Sequence, residues 1–364
     1  MRVLVVNAGS SSLKLQVVED GERLSGTTVE DWAGSGHLDP VEAFLAEAGS
    51  LDAVGHRVVH GGATYHHAAR VDDELLDYLD ATIDLAPLHN PRSVAGIREV
   101  ARLLPDLPAV ACFDTAFHAD LPPAARTYAL PREWNRRWAL RRYGFHGLSH
   151  AYAVRRGAEM AGVPVAGTRM VTAHLGAGAS LAAIRDGRSV DTTMGFTPLA
   201  GLVMATRSGS LDPGLVMWLV QHAGLAPDEL NGALEQRSGL VGLTGSGDLR
   251  DVLAARAAGD PDAALGFAVF VHRLVREAGA MAASAGGLDV LVLTGGVGEH
   301  APAVRAALGD GLAHLGVAVD GPRNEAARGD ADITAPGARV RTVVVTAGED
   351  LEIARLTVST LASR

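Results

Sequence analysis

The chain has 364 residues, 48% of them apolar and 4% aromatic, enough for two domains whose cores are built mainly from Ala, Val and Leu. A formal net charge of -10 argues against a protein that holds nucleic acid by neutralising phosphates, and no stretch is long and apolar enough to cross a membrane or to serve as a signal peptide. The one cysteine, Cys112, rules out an internal disulfide and fits a reducing, cytoplasmic setting; its apolar surroundings point to a buried, inert thiol.

In chain order, residues 2–6 read as a strand, 7–12 as a polar loop and 13–18 as a second strand, closed by an Asp20-Gly21 hairpin turn. Helix-like apolar spacing follows over 41–48, 73–85 and 93–104. The arginines 132, 136, 137, 141 and 142 read either as a solvated helix face or as a local device for steering anions. The opening plan then returns: a strand over 170–173, a Gly-rich loop over 174–180, a strand over 181–184 and an Asp186-Gly187 turn. Repetition in nearly the same register suggests internal duplication. Asp212-Pro213 and Asp260-Pro261 start helices over 213–223 and 261–285, with proline at the first helical position. A strand over 289–293 runs into a Gly-rich turn at 295–298 and a helix over 301–315. A last strand, 340–345, precedes Glu349 and a C-terminal helix. Strands interleaved with helices predict α/β layers, with a cleft between two halves as the place for a ligand.

Several polar segments interrupt these elements. The first loop offers a glycine and three serines as phosphate donors, and beside it stands Lys14, the only lysine among the 32 Lys and Arg residues. A compact ammonium differs from a planar guanidinium, so its use here alone points to a phosphate contact. The loop 176–178 follows a strand but lacks the Gly-Lys-Ser/Thr of a P-loop. Turn 295–298 allows close backbone approach to a flat ligand. His56, Arg57 and His60 precede a Gly pair, His146 lies between glycines, and Arg207 occupies a short polar turn. His89, Asp114 and His118 complete the set; taken singly, each is more often a satisfied structural residue than a catalytic one. No histidine pair shows a His-x-x-x-His zinc spacing on a clear helix, whereas Asn7 and Glu349 offer oxygens suited to magnesium.

The stretches VVNAGSSSLK, GHRVVHGG, APLHNP, FDTAFH, RRYGFHGLSH, HLGAGAS, GFTPLAGLVMATRSGSLDPG, DLRDV and LVLTGGVGE, in this order, resemble the acetate kinase family over almost the whole chain. The resemblance implies a duplicated actin-like (ribonuclease H-like) α/β ATPase fold around a central cleft. Residues 1–116 would form a substrate-side domain, with helix 350–364 packed back on it, and 117–349 a domain with the nucleotide loops. It implies reversible transfer of the ATP γ-phosphoryl group to acetate, giving acetyl phosphate and ADP, with Mg²⁺ (or Mn²⁺) as cofactor and a homodimer as the assembly. It assigns Asn7 and Glu349 to the metal, and Ser10, Ser12 and Lys14 to the phosphate path. Arg57 and Arg207 would grip the phosphoryl group and the carboxylate, with His146, Asp114 and His89 beside them. His174, Leu175, Gly176, Ala177 and Gly178 would hold the nucleotide phosphates. Asp248, Leu249, Arg250, Gly296, Val297, Gly298, Glu299 and His300 would hold adenosine. Val59, Leu88, Phe145 and Pro198 would enclose the substrate methyl.

Physical chemistry suits those roles: a carboxylate is already ionised at neutral pH, so it needs no general base, and catalysis reduces to alignment and charge stabilisation. The sequence departs from the family at Ala177 (usually Asn), at His300 (usually Asn), at Gly348 (usually Asn, ahead of the retained Glu349), and in a segment one residue shorter before Asp248. The alternatives are a kinase for propionate or a longer acid, a pyrophosphate-dependent variant, and a nucleotide-binding switch without catalysis.

Overall fold

A computed structural model describes residues 1–9, 12–30, 32, 39–86 and 89–363. Ser10 and Leu88 lie outside the described residues. The chain divides into two compact units: Met1–Ala119 with Phe145–Tyr152 and Gly348–Arg364, and Asp120–Gly144 with Ala153–Ala347.

The first unit is built on a six-stranded sheet of β1 (Arg2–Ala8), β2 (Ser12–Glu19), β3 (Glu22–Glu30), β4 (Ala53–Val58), β5 (Ala69–Arg70) and β6 (Ala109–Phe113), in the order β3-β2-β1-β4-β6-β5. The second holds β7 (Arg169–Leu175), β8 (Ala179–Arg185), β9 (Arg188–Thr192), β10 (Val290–Thr294), β11 (Ala331–Asp332) and β12 (Arg341–Val344), in the order β11-β12-β10-β7-β8-β9. Adding six to each strand number turns one order into the other, and the pairings match. Three antiparallel strands lead, two parallel strands follow, and a short antiparallel edge strand closes the sheet. Both hairpins turn on an Asp-Gly pair with positive φ at both residues (51° and 84°, then 53° and 75°), the backbone that a twisted two-residue turn needs. Both also carry an irregularity just before that turn, at Val17/Val18 and at Ala183/Ile184. Even the strand starts repeat. The Arg2 amide donates to the Asp52 carboxylate at 2.7 Å, and the Arg169 amide to that of Asp289 at 2.9 Å.

Helices cover both faces of the first sheet, so β1 reads as one continuous apolar run. Leu4 and Val6 pack with Val41, Val54 and Val100 on one side; Val3 and Val5 pack with Val110, Cys112, Ile353 and Ala354 on the other. The C-terminal helix Glu349–Ala362 lies against β4 because Gly55 has no side chain: a Cβ there would meet Thr357 at 2.4 Å and Ile353 at 2.7 Å. In the second unit a Cβ on Gly157 of helix Gly147–Ala161 would meet Val292 of β10 at 2.5 Å. Cys112 is buried and free, and burial pushes its thiol up to about 12.

Two expectations need correction. The Gly-rich segment after β10 is itself a short helix, Gly295–His300, reached through Gly295 at φ 79°. The arginine-rich segment is helical only over Arg132–Trp138; Arg142 lies beyond it and donates to the carbonyls of Thr192, Thr193 and Met194. Among the described residues no helix is long and apolar enough to cross a membrane.

Candidate active site

Asn7, Arg57 and Asp114 stand at the carboxyl ends of β1, β4 and β6, three adjacent parallel strands, where α/β sheets carry their ligands. Arg57 Nη2 donates to Asp114 Oδ2 at 2.6 Å and its Nε to both carboxylate oxygens at 3.2 Å. Its other arm, Nη1, donates to Asn7 Oδ1 at 3.1 Å. The Arg57 side chain is 18% exposed and that of Asp114 only 2%. Burial pulls the guanidinium's pKa down, but the charges of Asp114 and Glu349 and the hydrogen bonds to Asp114 outweigh it and carry it above its ordinary value. Burial pushes the Asp114 carboxyl up; Arg57 opposes that rise and Glu349 adds to it. Two carboxylates thus share the field of one arginine at the strand ends.

The turn after β4 is shaped around this centre. Asn90, fully buried at the start of helix Asn90–Leu103, donates to the His60 carbonyl and accepts from the His60 amide. Thr115 accepts from the Gly61 amide, and His60 Nδ1 accepts from the Gly62 amide at 2.8 Å. Gly62 has φ 64°, and a Cβ there would lie 2.0 Å from the Tyr78 hydroxyl, which accepts from Ala63 and Thr64. No other residue type fits that close approach. The turn presents Val59, itself buried, and His89 stands at the N-cap position of the neighbouring helix without a side-chain capping bond. Asp114 contributes a second time through its main chain: its carbonyl accepts from the Gly147 amide at 2.8 Å. His146 just before it holds φ 56°, a left-handed backbone rare for histidine and fixed here from both sides. On the other side, His118 Nε2 lies 3.1 Å from the carbonyl of Phe145, which is buried. Burial lowers His56 to about 3 and His60 to about 4, so both are neutral at ordinary pH.

In the second unit a cavity of about 590 Å³ opens between three loops. Gly176 and Ala177 come from the β7–β8 loop, Asp248, Leu249 and Arg250 from the start of helix Leu249–Ala257, and Gly296, Val297 and His300 from helix Gly295–His300. Leu240, Leu253 and Phe270 give it an apolar wall. Its size falls in the roughly 300–1,000 Å³ range of small-molecule sites. Asp248 caps its helix through the Arg250 amide and forks onto the Arg250 guanidinium; these bonds hold its carboxyl at about 2. Leu175, Gly298 and Glu299 are buried behind the cavity, and the Glu299 carboxylate accepts from the Ala347 amide at 3.0 Å. His174 and Gly178 flank the β7–β8 loop, which closes through a Gly176 amide to Gly178 carbonyl bond. Lys14 is exposed on β2, opposite Asn7 of β1, and Ser12 begins that strand.

Arg207 belongs to the second unit. Its Nη1 donates to the Pro198 carbonyl at 3.2 Å, and its Nε pairs with Glu235 at 3.4 Å. Burial lowers its pKa and Glu235 counters that. The turn is held by main-chain bonds from Ser238 to Thr206 and from Ser208 to Leu234, and a Cβ on Gly239 would meet the Met204 carbonyl at 2.2 Å.

The sequence pattern of the Acetokinase family matches residues 37–355. This chain belongs to the acetokinase family. It is 40% identical to the acetate kinase of Dictyoglomus thermophilum, over 98% of both chains, and 42% identical to the propionate kinase of Citrobacter rodentium, over 97% of this chain and 95% of that one. The crystal structure of Porphyromonas gingivalis acetate kinase superposes with a TM-score of 0.92 at 36% identity, covering 99% of each chain. The paired six-stranded sheets are accordingly the duplicated actin-like fold. For this acetokinase, sequence reasoning missed three residues that shape the site: Asn90, Tyr78 and Glu235. Asn90 stands inside a motif, APLHNP, and that was its only signal. Tyr78 and Glu235 lie in ordinary helical stretches and act across the fold.

Proposed function

We propose that this acetokinase moves the γ-phosphoryl group of ATP onto the carboxylate of acetate, reversibly, giving acetyl phosphate and ADP. The observation that carries the reading is Arg57, locked between Asn7 and Asp114 at the strand ends of a chain that matches this family over nearly its whole length. Acetate is ionised at neutral pH and attacks phosphorus directly, so no side chain need remove a proton. Arg57 draws in the negative oxygens of the substrates, its orientation fixed by the Asp114 fork. Arg207 stabilises the charge that spreads over the phosphoryl oxygens during transfer, and His146 donates a hydrogen bond to the same group. Val59 and Phe145, both in the first unit, limit the acid's length. ADP occupies the 590 Å³ cavity, with the base against Leu240, Leu253 and Phe270.

Magnesium suits the donor set. Asn7, Asp114 and Glu349 offer hard oxygens, and among the described residues no group of three or more His, Cys, Asp or Glu forms a closed metal cage. An ion that keeps several waters and binds through one or two carboxylates and substrate phosphates needs no such cage. Asn7 and Glu349 would hold it, and when bound it supplies neutralising charge for the phosphates. The reaction belongs in the cytoplasm, where ATP and a reduced thiol such as Cys112 are both at home. The chain assembles as a homodimer: helix Pro213–Gln221 buries no residue of its own, and Leu215, Met217 and Trp218 on it are exposed.

Propionate is a second substrate on this reading, supported by the similarity to the Citrobacter rodentium propionate kinase. A hydroxylamine trap for acyl phosphate tests the proposal, with purified protein, Mg²⁺ and acetate, propionate or butyrate, and with ATP or pyrophosphate as donor. Trapped acyl phosphate from ATP and acetate supports it. No product from any acid would leave the nucleotide-switch reading, and product from pyrophosphate alone would move the donor.

A further inference from the structure

Helix Gly295–His300 supplies Gly296, Val297 and His300 to the cavity wall, yet six residues rich in glycine make a poor helix. Its last carbonyls lack partners within the helix. Arg305, on the following helix Pro302–Gly311, supplies them. Its Nη1 donates to the Gly298 carbonyl at 3.0 Å and the Glu299 carbonyl at 2.7 Å. Its Nε donates to Asn324 Oδ1 and its Nη2 to the Asn324 carbonyl, each at 2.6 Å. Asn324, also buried, donates through Nδ2 to the Pro302 carbonyl at 2.9 Å.

Arg305 is 1% exposed, and among the described residues it forms no ion pair with a carboxylate. Burial lowers its pKa and Glu325 opposes that only from beyond ion-pair distance, so the guanidinium is held with no carboxylate in contact, a place that an apolar side chain of similar volume often fills at equal or lower cost. What the guanidinium offers is its planar fork: one edge for two successive carbonyls at a helix end, the other for the two oxygens of Asn324.

We propose that Arg305 is a positioning residue for the nucleotide, setting with Asn324 the turn that carries Gly296, Val297 and His300. The inference rests on the reading of this cavity as the nucleotide site. It is tested on the full chain with Arg305→Met, Arg305→Lys and Asn324→Ala, by calorimetric titration with Mg·ADP, by separate KM values for ATP and acetate, and by melting temperature. Arg305→Met and Asn324→Ala should each raise the Kd for ADP and the KM for ATP at least tenfold. The KM for acetate should stay within twofold, with Arg305→Lys intermediate. If Arg305→Met fails to fold, Asn324→Ala carries the test, since it keeps the cation and removes half of its anchor. A Kd for ADP within twofold of the parent overturns the inference. So does a parallel rise of both KM values in step with a fall in melting temperature, which marks a general structural role. Failure of the parent itself to bind ADP would remove the nucleotide reading first, an outcome distinct from unchanged variants of a parent that binds.

Discussion

Replacing Arg57 by alanine leaves the Asp114 carboxylate, 2% exposed, without its cationic partner. Breaking a buried pair from one side costs about 3–5 kcal/mol, and the 18% exposure of Arg57 places this case toward the lower end. The penalty should depend on pH. Burial and Glu349 already push Asp114 up, and Arg57 is the group that opposes them. Without it the folded-state pKa rises well above the value of about 3.9 in the unfolded chain. The folded variant then binds more protons than the unfolded one between those values, so its stability grows as pH falls through the raised pKa and levels off near the unfolded value. The difference between parent and Arg57→Ala should therefore shrink from pH 8 to pH 5, by at most ~1.4 kcal/mol per pH unit. Urea unfolding followed by fluorescence reads this unit directly in a Trp134→Phe, Trp138→Phe, Trp218→Phe background. Those three tryptophans are exposed, and the remaining Trp32 is buried in the first core. The double variant Arg57→Ala, Asp114→Ala should be more stable at pH 8 than Arg57→Ala alone, because no carboxylate is stranded. A penalty that stays constant from pH 8 to pH 5, or a double variant whose losses simply add, would refute the argument.

Arg207→Ala should lower kcat by roughly 10³–10⁵ while the Kd for ADP changes little, by analogy with arginines that act on transferring phosphoryl groups; near-normal turnover would remove Arg207 from the reaction. Val59→Ala should shift kcat/KM toward propionate and butyrate by about 1–3 kcal/mol per methylene admitted, and an unchanged ratio across a panel of acids counts against the pocket assignment. His56 and His60, held near 3 and 4 by burial, refuse protons that the unfolded chain accepts below about pH 6.5. Stability of the parent should fall as pH drops from about 6.5 toward 4, by at most ~1.4 kcal/mol per pH unit for each imidazole, and ring-proton shifts that titrate near 6.5 in the folded protein would contradict this. On the proposed homodimer reading, Trp218→Arg should sediment as a monomer where the parent sediments as a dimer, and a mass unchanged by the substitution counts against the interface proposed on this helix.

The parts of the fold legible in the sequence are those governed by local rules. Both Asp-Gly turns are read correctly because a two-residue turn needs positive φ twice, and few other dipeptides supply it. Helix Pro261–Ala285 is read to the residue. Asp260 caps it, Pro261 pre-sets its first turn, and Gly286 closes it at φ 79°. Helix Gly147–Ala161 is missed for the converse reason. It opens on a glycine required by the close approach of the Asp114 carbonyl, so its start depends on a tertiary contact. Segment 295–300 misleads in the same way, since its glycines favour a turn and its helicity is completed by Arg305 from outside. At the strand ends the sequence offers polar residues in the right places, yet nothing local in Arg57 says that one arm meets Asn7 and the other Asp114.

The duplication sharpens that point. Strand registers equate Asn7 with His174 and Arg57 with Thr294, and carrying the β4–β6 and β10–β12 registers onward equates Asp114 with Ala347. The three positions occupy equivalent places in the strand registers, and their chemistry differs. In one copy they form a charged cluster of guanidinium and carboxylate; in the other they carry an imidazole, a hydroxyl and a methyl, beside loops that leave a 590 Å³ hollow. A sheet with the same strand order can therefore place a charged cluster or an open pocket at its carboxyl edge, depending on three side chains and the loops that follow them. Exchanging the residues tests that claim where exchanging the folds would not. Thr294→Arg in the second unit has neither an Asn7 nor an Asp114 equivalent to receive its donors, so it buries a cation beside the cavity with no counter-charge at those two positions. It should destabilise the protein by several kcal/mol while leaving β10 in register, and Ala347→Asp in the same chain should recover part of the loss. A neutral Thr294→Arg would mean that the strand ends of the two copies differ in more than the side chains they carry.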